Sequence, residues 1–172
     1  KNMSIFDGLL GSLRGNARRK EAAGLLPELG ALSHVERTQR MVALGQAARD
    51  DGATRELLGE LWRTEGDAGS YARRLVLKSC YGSRDGARVL QALSDPSRLL
   101  RAGARKLVAL CCDDTQANGA LQTTWYVRQH LPLLSRLWAA GRLAPIDAFL
   151  DWLALQPGDT RLADCVPYGS PA

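Results

Sequence analysis

Apolar residues recur at helical spacing along almost the whole of this chain. The clearest run is Leu100, Ala104, Leu107, Val108 and Cys111, at i, i+4, i+7, i+8 and i+11, which lines one face of an α-helix. Leu57-Leu58 with Leu61-Trp62, Leu75-Val76 with Ser79-Cys80, Val89-Leu90 with Leu93, and Phe149-Leu150 with Leu153 obey the same spacing. No stretch alternates polar and apolar residues long enough to make a strand. Breaks containing Gly, Ser or Asp fall every ten to fifteen residues, so the pattern predicts short helices joined by tight turns. A short amphipathic helix is expected near 4–13, then one or two within 17–32. Helix pairs follow at 36–48 with 52–63, 70–81 with 84–93, and 97–110 with 115–126. A divergent pair lies near 131–140 and 145–155, with Pro132 and Pro145 suited to first-turn positions where a missing N–H costs nothing. The Pro- and Gly-containing segment from Gln156 onward reads as a terminal cap or as a lead into a larger protein. The chain is thus expected to be all-α.

Stacking these helices exposes an internal repeat. Asp51-Gly52-Ala53, Asp85-Gly86-Ala87 and Asn118-Gly119-Ala120 are separated by 34 and 33 residues. Ahead of them, Arg40-Met41-Val42-Ala43-Leu44, Arg74-Leu75-Val76-Leu77-Lys78 and Lys106-Leu107-Val108-Ala109-Leu110 are separated by 34 and 32. In each unit a basic residue opens an apolar stretch, a turn follows, and the Gly-Ala pair falls near the start of a second helix. Asp50 or Asp51, Ser83 or Asp85, and Asp114 or Asn118 suit the cap of that helix, because their side chains accept its orphan amide hydrogens.

The segment Asp95-Pro96-Ser97-Arg98-Leu99-Leu100-Arg101-Ala102-Gly103-Ala104-Arg105-Lys106-Leu107-Val108 resembles a HEAT repeat, in particular the short PBS-lyase type. Ser83 to Leu93 resembles the second helix of the preceding repeat. The likeness covers residues 34–126 well and 127–156 poorly. It implies an α-solenoid of about four HEAT-like helix pairs. On that reading residues 1–33 form N-terminal capping helices, 34–126 the repeats, and 127–172 a divergent repeat with a C-terminal cap or tail, all in one domain. Ile5, Phe6, Leu9, Leu10 and Leu13 would form the apolar face of a helix capping the first repeat, preferred here over a membrane-surface helix. HEAT folds host scaffolds, receptors, inhibitors and a few enzymes, so the resemblance bears on fold more than on activity.

Composition narrows the function classes. With 172 residues, 45% hydrophobic and 24% charged, the chain has the makeup of a globular domain. No apolar run approaches the roughly 18 residues a membrane helix needs, and no leader pattern is recognisable at the start, so an intracellular protein, cytoplasmic or nuclear, is expected. The cysteines are Cys80, Cys111, Cys112 and Cys165 and the histidines His34 and His130, with no zinc-finger spacing and no disulfide framework. Neither a metal nor a cofactor is expected.

The net charge of +5 is concentrated. Residues 71–106 hold nine basic side chains against Asp85 and Asp95, nine less two, or +7. Arg73-Arg74 and Arg105-Lys106 occupy equivalent repeat positions. Arg73, Arg74, Arg101, Arg105 and Lys106 are the candidate partner-binding residues, and the expected function is a non-catalytic scaffold for protein–protein recognition, the partner acidic. The alternative is nucleic-acid phosphate binding by the same side chains. Against both stands the plain reading of a solvated face with Asp–Arg pairs between turns. A DNA glycosylase built on HEAT-like repeats is a distant third reading. It would enlist Trp62, Trp125, Trp138 and Trp152 with Asp113 or Asp114, but none of these matches that family's motif, and tryptophans beside leucines at helical spacing usually serve the core. Cys80 and Cys111 continue apolar stripes as small hydrophobes rather than as nucleophiles or ligands with His130. No catalytic residue is assigned.

Overall fold

The computed structural model describes residues 5–156, with side chains from residue 15 onward. Among these residues there are helices and no strands. The helices are α1 (Ile5–Ala31), α2 (His34–Ala47), α3 (Gly52–Trp62), α4 (Asp67–Ser83), α5 (Gly86–Leu93), α6 (Arg98–Cys111), α7 (Asp114–Tyr126), α8 (Leu131–Ala139) and α9 (Ala144–Ala154). The helices expected from periodicity over 36–155 are all present, within a few residues at each end. Pro132 and Pro145 sit in the first turns of α8 and α9. The apolar face expected on Ile5, Phe6, Leu9, Leu10 and Leu13 and the tail from residue 157 lie outside the described side chains.

Two expectations are corrected. The separate short helices within 4–32 are one 27-residue helix, α1, which carries Pro27 inside it. Gly15, Gly24 and Pro27 lower its intrinsic helicity, yet Ala22 and Leu29 are buried, and burial of that stripe outweighs propensity. The second concerns the cap of α7. Asp51 and Asp85 are indeed the N-caps of α3 and α5. In α7 the cap is Asp113, whose carboxylate accepts from the Gln116 amide while the Gln116 side chain accepts from the Asp113 amide. This reciprocal box starts the helix early and leaves Asn118-Gly119 inside it.

The helices gather into two compact units, Lys1–Ser83 and Arg84–Ala172. In the first, α1 packs on α3, α2 on α4, and α3 on α4. Its core includes Ala22, Leu29, Met41, Leu58, Leu61, Leu75 and Val76. The α2–α4 contact is backbone against backbone. A Cβ on Gly45 would lie 1.9 Å from the Ser79 carbonyl oxygen, and one on Gly82 would lie 2.1 Å from that of Val42. Thr38 meets Lys78, Val42 meets Gly82 and Gly45 meets Ser83, so the two helices run in the same direction. Helix axes this close require glycine at the crossing, because side chains there set the separation.

In the second unit α5 packs on α6 and α7, α6 on α8, and α7 on α9. Leu100, Leu107, Val108, Leu121, Leu133, Leu137 and Phe149 are buried there. Trp125, buried, lies 4.5 Å from the His130 ring and 6.1 Å from Phe149, so aromatic packing closes the α7–α9 region. Gly86 lies against the α6–α7 turn, where a Cβ would come within 2.8 Å of the Cys111 carbonyl oxygen.

Candidate functional site

A helix C-terminus leaves carbonyls without intrahelical partners and carries the negative end of the dipole. Arginine answers both needs, and this chain uses it repeatedly. Arg37 donates from Nε to the Leu29 carbonyl at 2.7 Å and from Nη2 to those of Leu32 and Gly30, closing the end of α1. Arg55 donates to the carbonyls of Ala48 and Arg49 after α2. Arg84, in the left-handed region at φ 57°, donates to the Leu110 carbonyl. Arg142 donates to the carbonyls of Ala109 and Cys112 and pairs with Asp114. Part of the basic excess is therefore structural.

The five candidate residues fall on two helices. Arg73 and Arg74 are on α4, and Arg101, Arg105 and Lys106 on α6. Arg73 is half-buried, with its Nη1 lying over Gly69. Arg74 is exposed, its guanidinium carbon 5.9 Å from the centre of the Tyr71 ring. Arg101 donates from Nη1 to the carbonyls of Asp95 and Pro96, both at 2.7 Å, and so braces the α5–α6 turn. Arg105 is half-buried and donates to the Gln129 side chain at 2.5 Å. Lys106 is exposed. Arg40, Arg74 and Lys106, spaced by 34 and 32 residues, are all exposed, and the residues after them, Met41, Leu75 and Leu107, are all buried.

Each unit holds a concave basic site. On the α6 side, Arg101 and Arg105 line a cavity of about 410 Å³ with Asp95, Thr123, Thr124 and Gln129. Burial, and then the positive charges of Arg101, Arg136 and Arg98, push the Arg105 guanidinium below its ordinary value. In the first unit, His34, Arg37, Tyr71, Arg74, Leu75 and Lys78 line a cavity of about 250 Å³. The Lys78 ammonium donates to the Thr38 hydroxyl at 2.9 Å. Burial, and then the charges of Arg37 and Arg74, push it down. A larger cavity of about 650 Å³, lined by Arg19 and Arg63 with Glu60 and Glu65, is balanced in charge.

Arg74 was legible in the sequence as a candidate, but the assembly around it was not. Tyr71, Arg74 and Lys78 stand at i, i+3 and i+7 on α4, a spacing that was legible. Arg37 and His34 join them only because α2 packs alongside α4.

The other chemical candidates resolve locally. Asp113 caps α7 and Asp114 pairs with Arg142. Trp125 is buried, Trp62 and Trp152 are half-buried and Trp138 is exposed. Cys80, Cys111 and Cys112 are buried. Burial pushes the Cys111 thiol up and the Cys112 thiol up to about 12. Cys165 lies outside the described residues. Among the described residues no three His, Cys, Asp or Glu side chains converge as a metal site, and no helix is long and apolar enough to cross a membrane. In comparisons with protein-family models, curated proteins and solved structures, none matches the chain.

Proposed function

We propose that this chain is a non-catalytic helical-repeat module, HEAT-like in the pairing of its helices, that recognises an acidic protein partner through basic surface. The repeat reading is supported by helices packing on their second neighbours within each unit, by the 32- to 34-residue register of exposed cation and buried apolar residue, and by the aspartate caps of α3 and α5. The recognition reading rests on one observation above the others. Arg105 is held half-buried beside the like charges of Arg101, Arg136 and Arg98 at a cavity wide enough for an acidic side chain. A carboxylate from a partner would offset that repulsion, and guanidinium groups bind carboxylates bidentately. Lys106, exposed beside Arg105, adds long-range attraction that would speed encounter.

The test is to titrate an acidic peptide and a mixed-sequence DNA duplex against the native chain and an Arg105→Gln/Lys106→Glu variant at several salt concentrations. The peptide is expected to bind the native chain and to lose about tenfold or more in affinity with the variant. Duplex binding with a log–log salt slope of about −0.9 per phosphate contact would instead assign the surface to nucleic acid. Binding of neither, or equal binding by both proteins, would remove the reading.

A further inference from the structure

We propose that the cavity between the first turns of α2 and the middle of α4 is a seat for a single phosphoryl dianion, that is, a phosphate monoester or free phosphate, held by Arg37, Arg74 and Lys78. The site goes beyond the recognition reading and does not depend on it, since it concerns one small anion in the first unit alone.

Three cations converge on about 250 Å³, and none of the lining residues is acidic. Arg37 is fixed before any ligand arrives. Its Nε and both Nη2 hydrogens are committed to the carbonyls of Leu29, Gly30 and Leu32, which leaves the two donors of Nη1. Its guanidinium carbon lies 5.9 Å from the centre of the Tyr71 ring, and that of Arg74 lies at the same distance. The ring thus holds two like charges by cation–π attraction, within the range at which that attraction acts. Lys78 is anchored to Thr38 by one of its three N–H groups. Its ammonium is already disfavoured by burial and by the two arginines. Fixed cations that repel one another around a small hollow stabilise an anion of matching charge without further ordering. One carboxylate would leave at least two positive charges unanswered. A phosphate monoester carries close to two negative charges at neutral pH and presents three acceptor oxygens to the three cations. Exposed His34 lies at the rim and adds a further donor.

The experiment uses the full chain near pH 7.5. Amide chemical shifts are followed by NMR while inorganic phosphate, sulfate, acetate, a phosphotyrosine peptide, its unphosphorylated form and a short oligonucleotide are titrated in. Phosphate and sulfate are expected to compete for one site, with shifts confined to the start of α2 and to α4, and acetate to bind at least tenfold more weakly. Arg74→Gln and Lys78→Gln are each expected to weaken phosphate at least tenfold, while Arg49→Gln, at an exposed residue outside the cavity, leaves it unchanged. Arg74 is exposed, so its variant keeps the test valid even where Lys78→Gln perturbs the fold. A phosphopeptide tighter than free phosphate would identify a protein-borne phosphoryl group, and the reverse order a small free monoester; both support the site. Absent phosphate binding, affinity undiminished in both variants, acetate binding as tight as phosphate, or an oligonucleotide displacing phosphate at equal phosphorus concentration would overturn it.

Discussion

Buried thiols show how residue chemistry follows from position on a helix. Cys111 ends the apolar stripe of α6, and Cys112 places its sulfur 3.8 Å from the Gly86 carbonyl oxygen. With its thiol pushed up to about 12 by burial, Cys112 has almost no thiolate at neutral pH. Iodoacetamide with peptide-mass mapping should leave Cys112 unmodified in the native chain and modify it in urea; labelling at equal rates would place it at the surface. The caps respond to acid. Hydrogen bonds from Thr54, and from the amides of Thr54 and Ala53, hold the Asp51 carboxyl below its ordinary range, and Ser33 does the same for Glu36. A carboxyl lowered by folding stabilises the native state above its unfolded value, about pH 4, and that contribution is lost as pH falls through the folded value. Urea midpoints should therefore drop below about pH 4, and less steeply for Asp51→Asn, which keeps a cap acceptor but no charge. Parallel curves for the two proteins would remove Asp51 from the acid response.

At the scale of the element, glycines in helices serve two opposite purposes. Gly45 and Gly82 let α2 and α4 touch along their backbones, and an added methyl at either meets a carbonyl oxygen at about half a normal contact distance. Gly45→Ala should cost on the order of 3 kcal/mol or more, because backbone rather than a flexible side chain must move. Gly119, inside α7, has nothing within 4 Å of where its Cβ would stand. Gly119→Ala should raise stability by about 0.5–1 kcal/mol through helix propensity alone. Chemical denaturation of the two variants checks both signs, and equal effects would mean that the α2–α4 crossing is not close.

At the scale of the molecule, arginines divide into those that close helix ends and those that face solvent. Arg142→Gln removes donors to the carbonyls of Ala109 and Cys112 and should destabilise by about 1–3 kcal/mol, whereas exposed Arg40→Gln should stay within about 0.5 kcal/mol. Similar denaturation midpoints for the two would return both to the surface. Much of this architecture was legible in the sequence by itself. Apolar stripes at i, i+4 and i+7 mark which face is buried, since only that spacing gathers side chains on one side of a helix, and Leu107 is buried as its stripe requires. Aspartate before a Gly-Ala pair marks helix starts at Asp51 and Asp85 because the cap is a local interaction. The start of α7 was legible to within a residue, but its cap is Asp113 rather than Asp114 or Asn118, because Asp113 and Gln116 close a reciprocal box. The fate of each positive charge was decided only by tertiary structure. Arg101 and Arg74 look alike in sequence, yet one is bound to two carbonyls and the other lies exposed against a tyrosine ring. Arg37 reaches Tyr71 and Lys78 reaches Thr38 across 34 and 40 residues of chain, because glycines at a helix crossing bring two backbones together. Periodicity reports which face of a helix is buried, but not which other helix covers it, and that pairing creates the basic cavity.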